Sequence, residues 1–163
     1  MIAALAVVLH VLLVFLLVAG IFGRDIVYAR AARSQDLSEI RALLSLGHVF
    51  EMRLVRPFTG YVLLAGLVAA WLRGWPILGF LQGGKSNWVL AAILIYLTLI
   101  PLIVFVFLPR GKVFRRAYDD AVARGAVTPE LTAALGDPWL RAGRAYEWVM
   151  IAVLVYLMVL KPF

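Results

Sequence analysis

His10 stands alone inside the apolar run IAALAVVLHVLLVFLLVAGIF, and an imidazole surrounded by hydrocarbon must find a partner. Two chemistries suit it. A neutral imidazole nitrogen is a good axial ligand for haem iron or another metal ion. Alternatively, the ring hydrogen-bonds a neighbouring helix, with Tyr96 in the same layer. On a helical net His10 shares a face with Ala3, Ala6, Leu17, Gly20 and Arg24. Small side chains there let a flat cofactor or a second helix approach closely. His48, the other histidine, falls some 15–18 Å away by helical rise, too far to share one iron with His10. A second ligand must come from the layer of His10 itself. Counting in from the helix ends, Met150 is the candidate, with core packing as its plainer role. The His10 of a second copy and an open coordination position are the other possibilities.

A second constellation is HVFEMRLVRP, which holds His48, Glu51, Arg53 and Arg56 before Pro57. His48 and Glu51 are three apart, as are Arg53 and Arg56, so each pair shares a helix face. Arginines at a membrane entrance can grip a carboxylate or phosphate, such as porphyrin propionates; Arg24 belongs to the same inner layer. The plainer role is snorkelling with an ion pair to Asp25 or Glu51.

Other chemistries are excluded. The chain has no cysteine, which removes disulfides, thiolate catalysis and iron–sulfur ligation. There is no hydrolase triad, and Gly83-Gly84 lacks the strand that a phosphate-binding loop follows. Asp119-Asp120 reads as a solvated pair. The net charge of +7 comes with no basic stripe interleaved with stacking aromatics, so nucleic acid is not the expected partner.

The elements that must position these residues are membrane spans. Of 163 residues 64% are hydrophobic, with a mean hydropathy of +0.97, and the excess lies in long blocks. Blocks of about 18 or more apolar residues match about 30 Å of hydrocarbon, and only helices satisfy their own backbone there. The expected fold is all-α, a four-helix transmembrane bundle forming one domain over 1–163. Its spans fall near 2–22, 48–72, 88–108 and 146–160. Met1–Gly23 lacks a basic n-region and reads as an uncleaved first span. The first span should end at Gly23-Arg24-Asp25. Asp36 and Glu39 should start a helix feeding the second span. Ile77–Leu81 is too short to cross and should lie at the interface or re-enter slightly. Pro101 should kink the third span, and Pro109-Arg110-Gly111 should stop it. A helical hairpin follows, covering 112–124 and then a helix capped by Thr128 with Pro129 in its first turn; Asp137-Pro138 repeats that start.

Eleven basic residues fall in the first and third connections, against three on the other side. The positive-inside bias puts both termini outside a bacterial inner membrane and the hairpin in the cytoplasm. Trp71, Trp75 and Trp88 mark the outer interface, Trp139 and Trp148 the inner one.

The segments LHVLLVFLLVAGIFGR, FEMRLVRPFTGYVLLAGL and YLMVLKPF resemble the integral membrane protein family called domain of unknown function 2269, over nearly the whole chain. That family carries no assigned activity. More distantly, the first two spans are similar to four-helix membrane protoporphyrinogen oxidases and copper-resistance-type membrane proteins. The resemblance to the oxidases implies haem b at His10. It does not extend to the lysine those oxidases carry early in the third span, where this chain reads NWVLAAILIYL.

Three functions are therefore expected in order. The first is haem b held by His10, with Arg24, Arg53 or Arg56 at the propionates and Met150 as possible second ligand, in a redox role. The second is an accessory or scaffold subunit, in a homo-oligomer or larger membrane complex in lipid, packing through its small-residue face. The third is a transporter-like or metal-handling protein, with the scarcity of intramembrane carboxylates arguing against proton coupling.

Overall fold

The computed structural model describes residues 1–162, and they are all-helical apart from the connections, with no strand among them. Four helices are long and apolar enough to cross a membrane: α1 (Ile2–Ala31), α2 (Leu37–Leu72), α3 (Trp88–Arg124) and the segment Pro129–Leu160. The last is divided at Gly136 and Asp137 into α4 (Pro129–Leu135) and α5 (Pro138–Leu160). Neighbours run antiparallel. Met1, the 73–87 connection and the end of α5 gather at one end of the bundle. Most basic residues and the α3–α4 hairpin lie at the other.

Large apolar side chains face outward along every span, among them Phe15, Trp71 and Phe105 at 67%, 71% and 75% exposure. Water would not tolerate so much exposed hydrocarbon; lipid does. This is an integral membrane protein in contact with lipid.

Two expected stops are absent. α1 does not end at Gly23 but runs to Ala31, about 45 Å at 1.5 Å per residue, so its last turns project past the hydrocarbon. Gly23 is a contact residue rather than a terminator: a Cβ there would lie 2.7 Å from the Phe50 ring. Pro109 does not end α3 either. Ile103–Phe107 form a π-turn, in which the Leu108 N–H reaches back to the Ile103 carbonyl. The wider turn relieves the clash between the proline ring and the carbonyl four residues back. The same device precedes Pro57, where Glu51–Val55 is a π-turn and the Arg56 N–H reaches Glu51. The regular helix is interrupted at Thr98, one turn before Pro101.

Other boundaries follow local chemistry. Asp36 caps α2 by accepting the Ser38 N–H at 2.9 Å, while Glu39 reaches Arg30 and Ser34 instead of closing the capping box. Asp137 accepts the Trp139 and Leu140 N–H groups at the start of α5 and pairs with Arg110 of α3 at 2.8 Å. Gly125 ends α3 at φ 66°, a left-handed turn open to glycine without strain, and the hairpin folds back into α4. The 73–87 connection carries a short 3-10 turn, Gly79–Gln82, with Leu78, Phe80 and Leu81 exposed beside the span ends.

Two cores result. One lies between the spans and contains Leu17, Val55, Tyr96 and Met150. The other, built from Ala31, Ile40, Leu44, Ala121 and Leu131, ties the projecting end of α1 to α2 and the hairpin. Thr128 is 5% exposed and accepts the Leu131 N–H at 3.2 Å. Thr128→Ala should therefore cost about 1 kcal/mol. Thermal unfolding in detergent should show a small fall in midpoint, and no fall would mean the cap contributes nothing.

Candidate functional site: a histidine-floored cavity above a buried ion network

His10 is 9% exposed and sits where α1 crosses α2. Gly66 makes this possible, because a Cβ there would come within 3.0 Å of the imidazole Cε1. The missing side chain lets the ring lie flat against α2. Nδ1 is 3.1 Å from the Val62 carbonyl oxygen. A carbonyl only accepts, so Nδ1 carries the hydrogen, and in the neutral ring the lone pair is then on Nε2. Among the described residues, Nε2 has no hydrogen-bond partner. Tyr96 is not the partner of His10; its hydroxyl donates to the Thr59 carbonyl at 2.6 Å, and the Thr59 hydroxyl donates to Val55 at 2.7 Å.

His10 and Gly66 line a cavity of about 290 Å³ bounded by all four long helices. Its walls are otherwise apolar, from Val7, Leu67, Ala92 and Leu154, and Tyr96 lies at its inner end with His10. Trp75, Trp88 and Lys161 line the opposite end, about 12 Å along α3 from Tyr96. Trp75 and Trp88 meet edge to face with centroids 5.0 Å apart. Met158, two turns beyond Met150, lines this cavity. Met150 packs into the apolar core and does not.

The basic constellation stands at the other end of the spans. Arg24, 7% exposed, is its centre. Its guanidinium pairs with Glu147 of α5 at 2.5 Å, with Asp25 at 3.1 Å and with Glu51 of the α2 π-turn at 3.2 Å. Arg56 joins through Glu51 at 3.2 Å. The Trp148 indole donates to Asp25 at 3.0 Å, and Arg144 stacks over the Tyr28 ring at 4.6 Å while approaching Asp25. Three arginines thus face three carboxylates. The arrangement clamps α1, α2 and α5 together and leaves the Arg24 guanidinium engaged on every side.

The residues singled out by sequence therefore fall into separate places. Arg24 and Arg56 are in the network, whereas Arg53 and His48 are exposed on α2. None of them lines the cavity. Arg24 lies about 21 Å from His10 along α1. The small-residue face of α1 is covered by α2, since a Cβ on Gly20 would stand 2.5 Å from that of Leu54.

Sequence reasoning overlooked Glu147 at the start of the fourth span. A signal was available: Glu147, Met150, Leu154 and Leu157 follow helical spacing and all are buried. A charge in line with that apolar stripe must be paired inside the protein. The supposed scarcity of intramembrane carboxylates hid the convergence of Asp25, Glu51 and Glu147.

No curated protein and no solved structure matches this chain. A family model does, over residues 4–162, nearly the full length of the bundle just described. Four spans, their connecting hairpin and both sites all fall within that stretch, and the chain belongs to the family described as predicted integral membrane protein (DUF2269).

Proposed function

We propose that this protein binds a lipophilic small molecule in the outer half of a bacterial inner membrane, with His10 as the polar contact. One observation carries the reading: Nδ1 is committed to Val62, which leaves Nε2 as the nitrogen that a ligand can engage on a residue lining an apolar cavity. Small-molecule sites have this character, mostly hydrocarbon with a few fixed polar atoms. The charge asymmetry supports the orientation, with both termini and the cavity's tryptophan end outside.

Haem b is one molecule of the right kind, and the residues fit it in part. A histidine whose Nδ1–H is held by a backbone carbonyl presents Nε2 in the form that ligates iron, and bound haem would supply redox chemistry. Met158, rather than Met150, is the thioether on the same cavity. Arg24 lies about 21 Å from His10 along α1, so propionate contact with Arg24, Arg53 or Arg56 would need a haem seated far deeper than this cavity. At about 290 Å³ the cavity also sits at the lower edge of the 300–1,000 Å³ usual for ligand sites, so a macrocycle would have to widen it. A ring-headed or single-chain lipophile enters as it stands.

Purification in mild detergent, followed by an absorption spectrum and mass spectrometry of a solvent extract, tests this. The wild type should carry a stoichiometric apolar molecule that His10→Ala loses while remaining monodisperse. A Soret band identifies it as haem; a colourless extract with one enriched lipophile identifies the other class. Equal retention by wild type and His10→Ala, or no enriched molecule in the wild type, sinks the proposal.

A further inference from the structure

We infer that the molecule held in this cavity is a single-chain amphiphile with an anionic head, and that Lys161 holds the head at the mouth. The inference rests on the cavity being a ligand site, and names the chemistry of the ligand.

Lys161 is the one ionic side chain among the described residues lining the cavity. Its position is set by an unusual backbone. It ends α5 in the left-handed conformation, φ 46° and ψ 57°, with its N–H bonded to the Leu157 carbonyl. Glycine is the usual occupant of such a turn, and lysine there is strained. The turn brings Nζ over both aromatic walls, 4.5 Å from the Trp75 centroid and 5.7 Å from that of Trp88. Ring faces stabilise a cation without neutralising it. Arg73 adds a second cation at this end, its guanidinium 5.8 Å from the Trp75 centroid.

No carboxylate side chain is near to compensate these charges. All nine Asp and Glu residues belong to α1 beyond Arg24, the basic connections and the inner halves of the spans. The end that holds Arg73, Lys85 and Lys161 has none. An apolar cavity with a cation at its end, and no Asp or Glu side chain at that end among the described residues, is complementary to a hydrocarbon tail carrying one negative group. Its volume of about 290 Å³ suits one chain rather than two. His10 at the inner end remains the second polar contact, its Nε2 facing a hydroxyl or similar group carried along the chain, so that palmitate and hexadecanol probe the head alone.

Two probes of equal chain length separate the head from the tail. Binding of radiolabelled palmitate and hexadecanol is measured with the full chain in nanodiscs of phosphatidylcholine alone, at neutral pH. Wild type should prefer palmitate by roughly tenfold, the worth of one charge-assisted hydrogen bond. Lys161→Gln should abolish the preference by weakening palmitate alone, and Lys161→Arg should keep it. Palmitate bound equally by wild type and Lys161→Gln, or hexadecanol bound as well as palmitate by wild type, overturns the inference while leaving the cavity a ligand site. Failure of both probes to bind above protein-free nanodiscs sinks this inference, and His10→Ala losing the co-purified molecule would still support the broader reading.

Discussion

Arg24→Met should be the most damaging single substitution in the inner half of the bundle, lowering stability by about 3–5 kcal/mol, the usual consequence of removing one partner from a buried pair. Both Arg24 and Glu147 have side chains only 8% exposed. Methionine fills similar volume but leaves the Glu147 carboxylate without its 2.5 Å partner, and frees Asp25 and Glu51 from the charge between them. A carboxylate stranded there must take up a proton or draw in water, and both oppose folding. Glu147→Gln should cost less, because the amide oxygen still accepts from the guanidinium. The double variant Arg24→Met, Glu147→Gln should then be more stable than Arg24→Met alone, as a coupled pair requires. Arg53→Met is the control: that side chain is exposed, so a change within about 0.5 kcal/mol is expected. Thermal unfolding in detergent, followed by size exclusion, reads all four. Arg24→Met unfolding with Arg53→Met would show the network to be decorative.

Much of this architecture was legible beforehand, because lipid makes simple demands. Four blocks of hydrocarbon length must be helices, and Asp36, Thr128 and Asp137 announce helix starts by chemistry that acts within three residues. What could not be read were events that depend on a neighbour. Gly23 looks like a stop until Phe50 is seen against it. Pro57 and Pro109 look like breaks until a preceding π-turn is known to absorb them. His10 was legible as an imidazole needing a partner, yet the choice of Val62 over Tyr96 depends on Gly66 letting the ring lie close to α2. The propionate assignment needs a haem seated far deeper than the cavity, for a geometric reason. Arg24 shares a face with His10, but four helical turns separate them, and sharing a face says nothing about depth.

Gly20 supplies the second large effect, opposite in sign to what helix propensity dictates. Glycine to alanine within a helix ordinarily gains about 1 kcal/mol. Gly60 on α2 has open space where a methyl group would sit, with nothing within 4 Å, so Gly60→Ala should be neutral or stabilising. Gly20→Ala should instead lose about 1–3 kcal/mol, and Gly20→Leu more. Its Cβ would lie 2.5 Å from the Leu54 Cβ and 3.4 Å from both Val55 Cγ2 and the Val55 backbone nitrogen. No rotamer change moves a Cβ, so the helices themselves must separate. They would separate at the π-turn, between the His10–Val62 bond above and the Arg24–Glu51 pair below. The expected signature is therefore double: a lower unfolding midpoint, and loss of whatever molecule co-purifies with the wild type. Should Gly20→Leu match Gly60→Ala in both measurements, α1 and α2 do not meet at this crossing, and the position assigned to His10 falls with it.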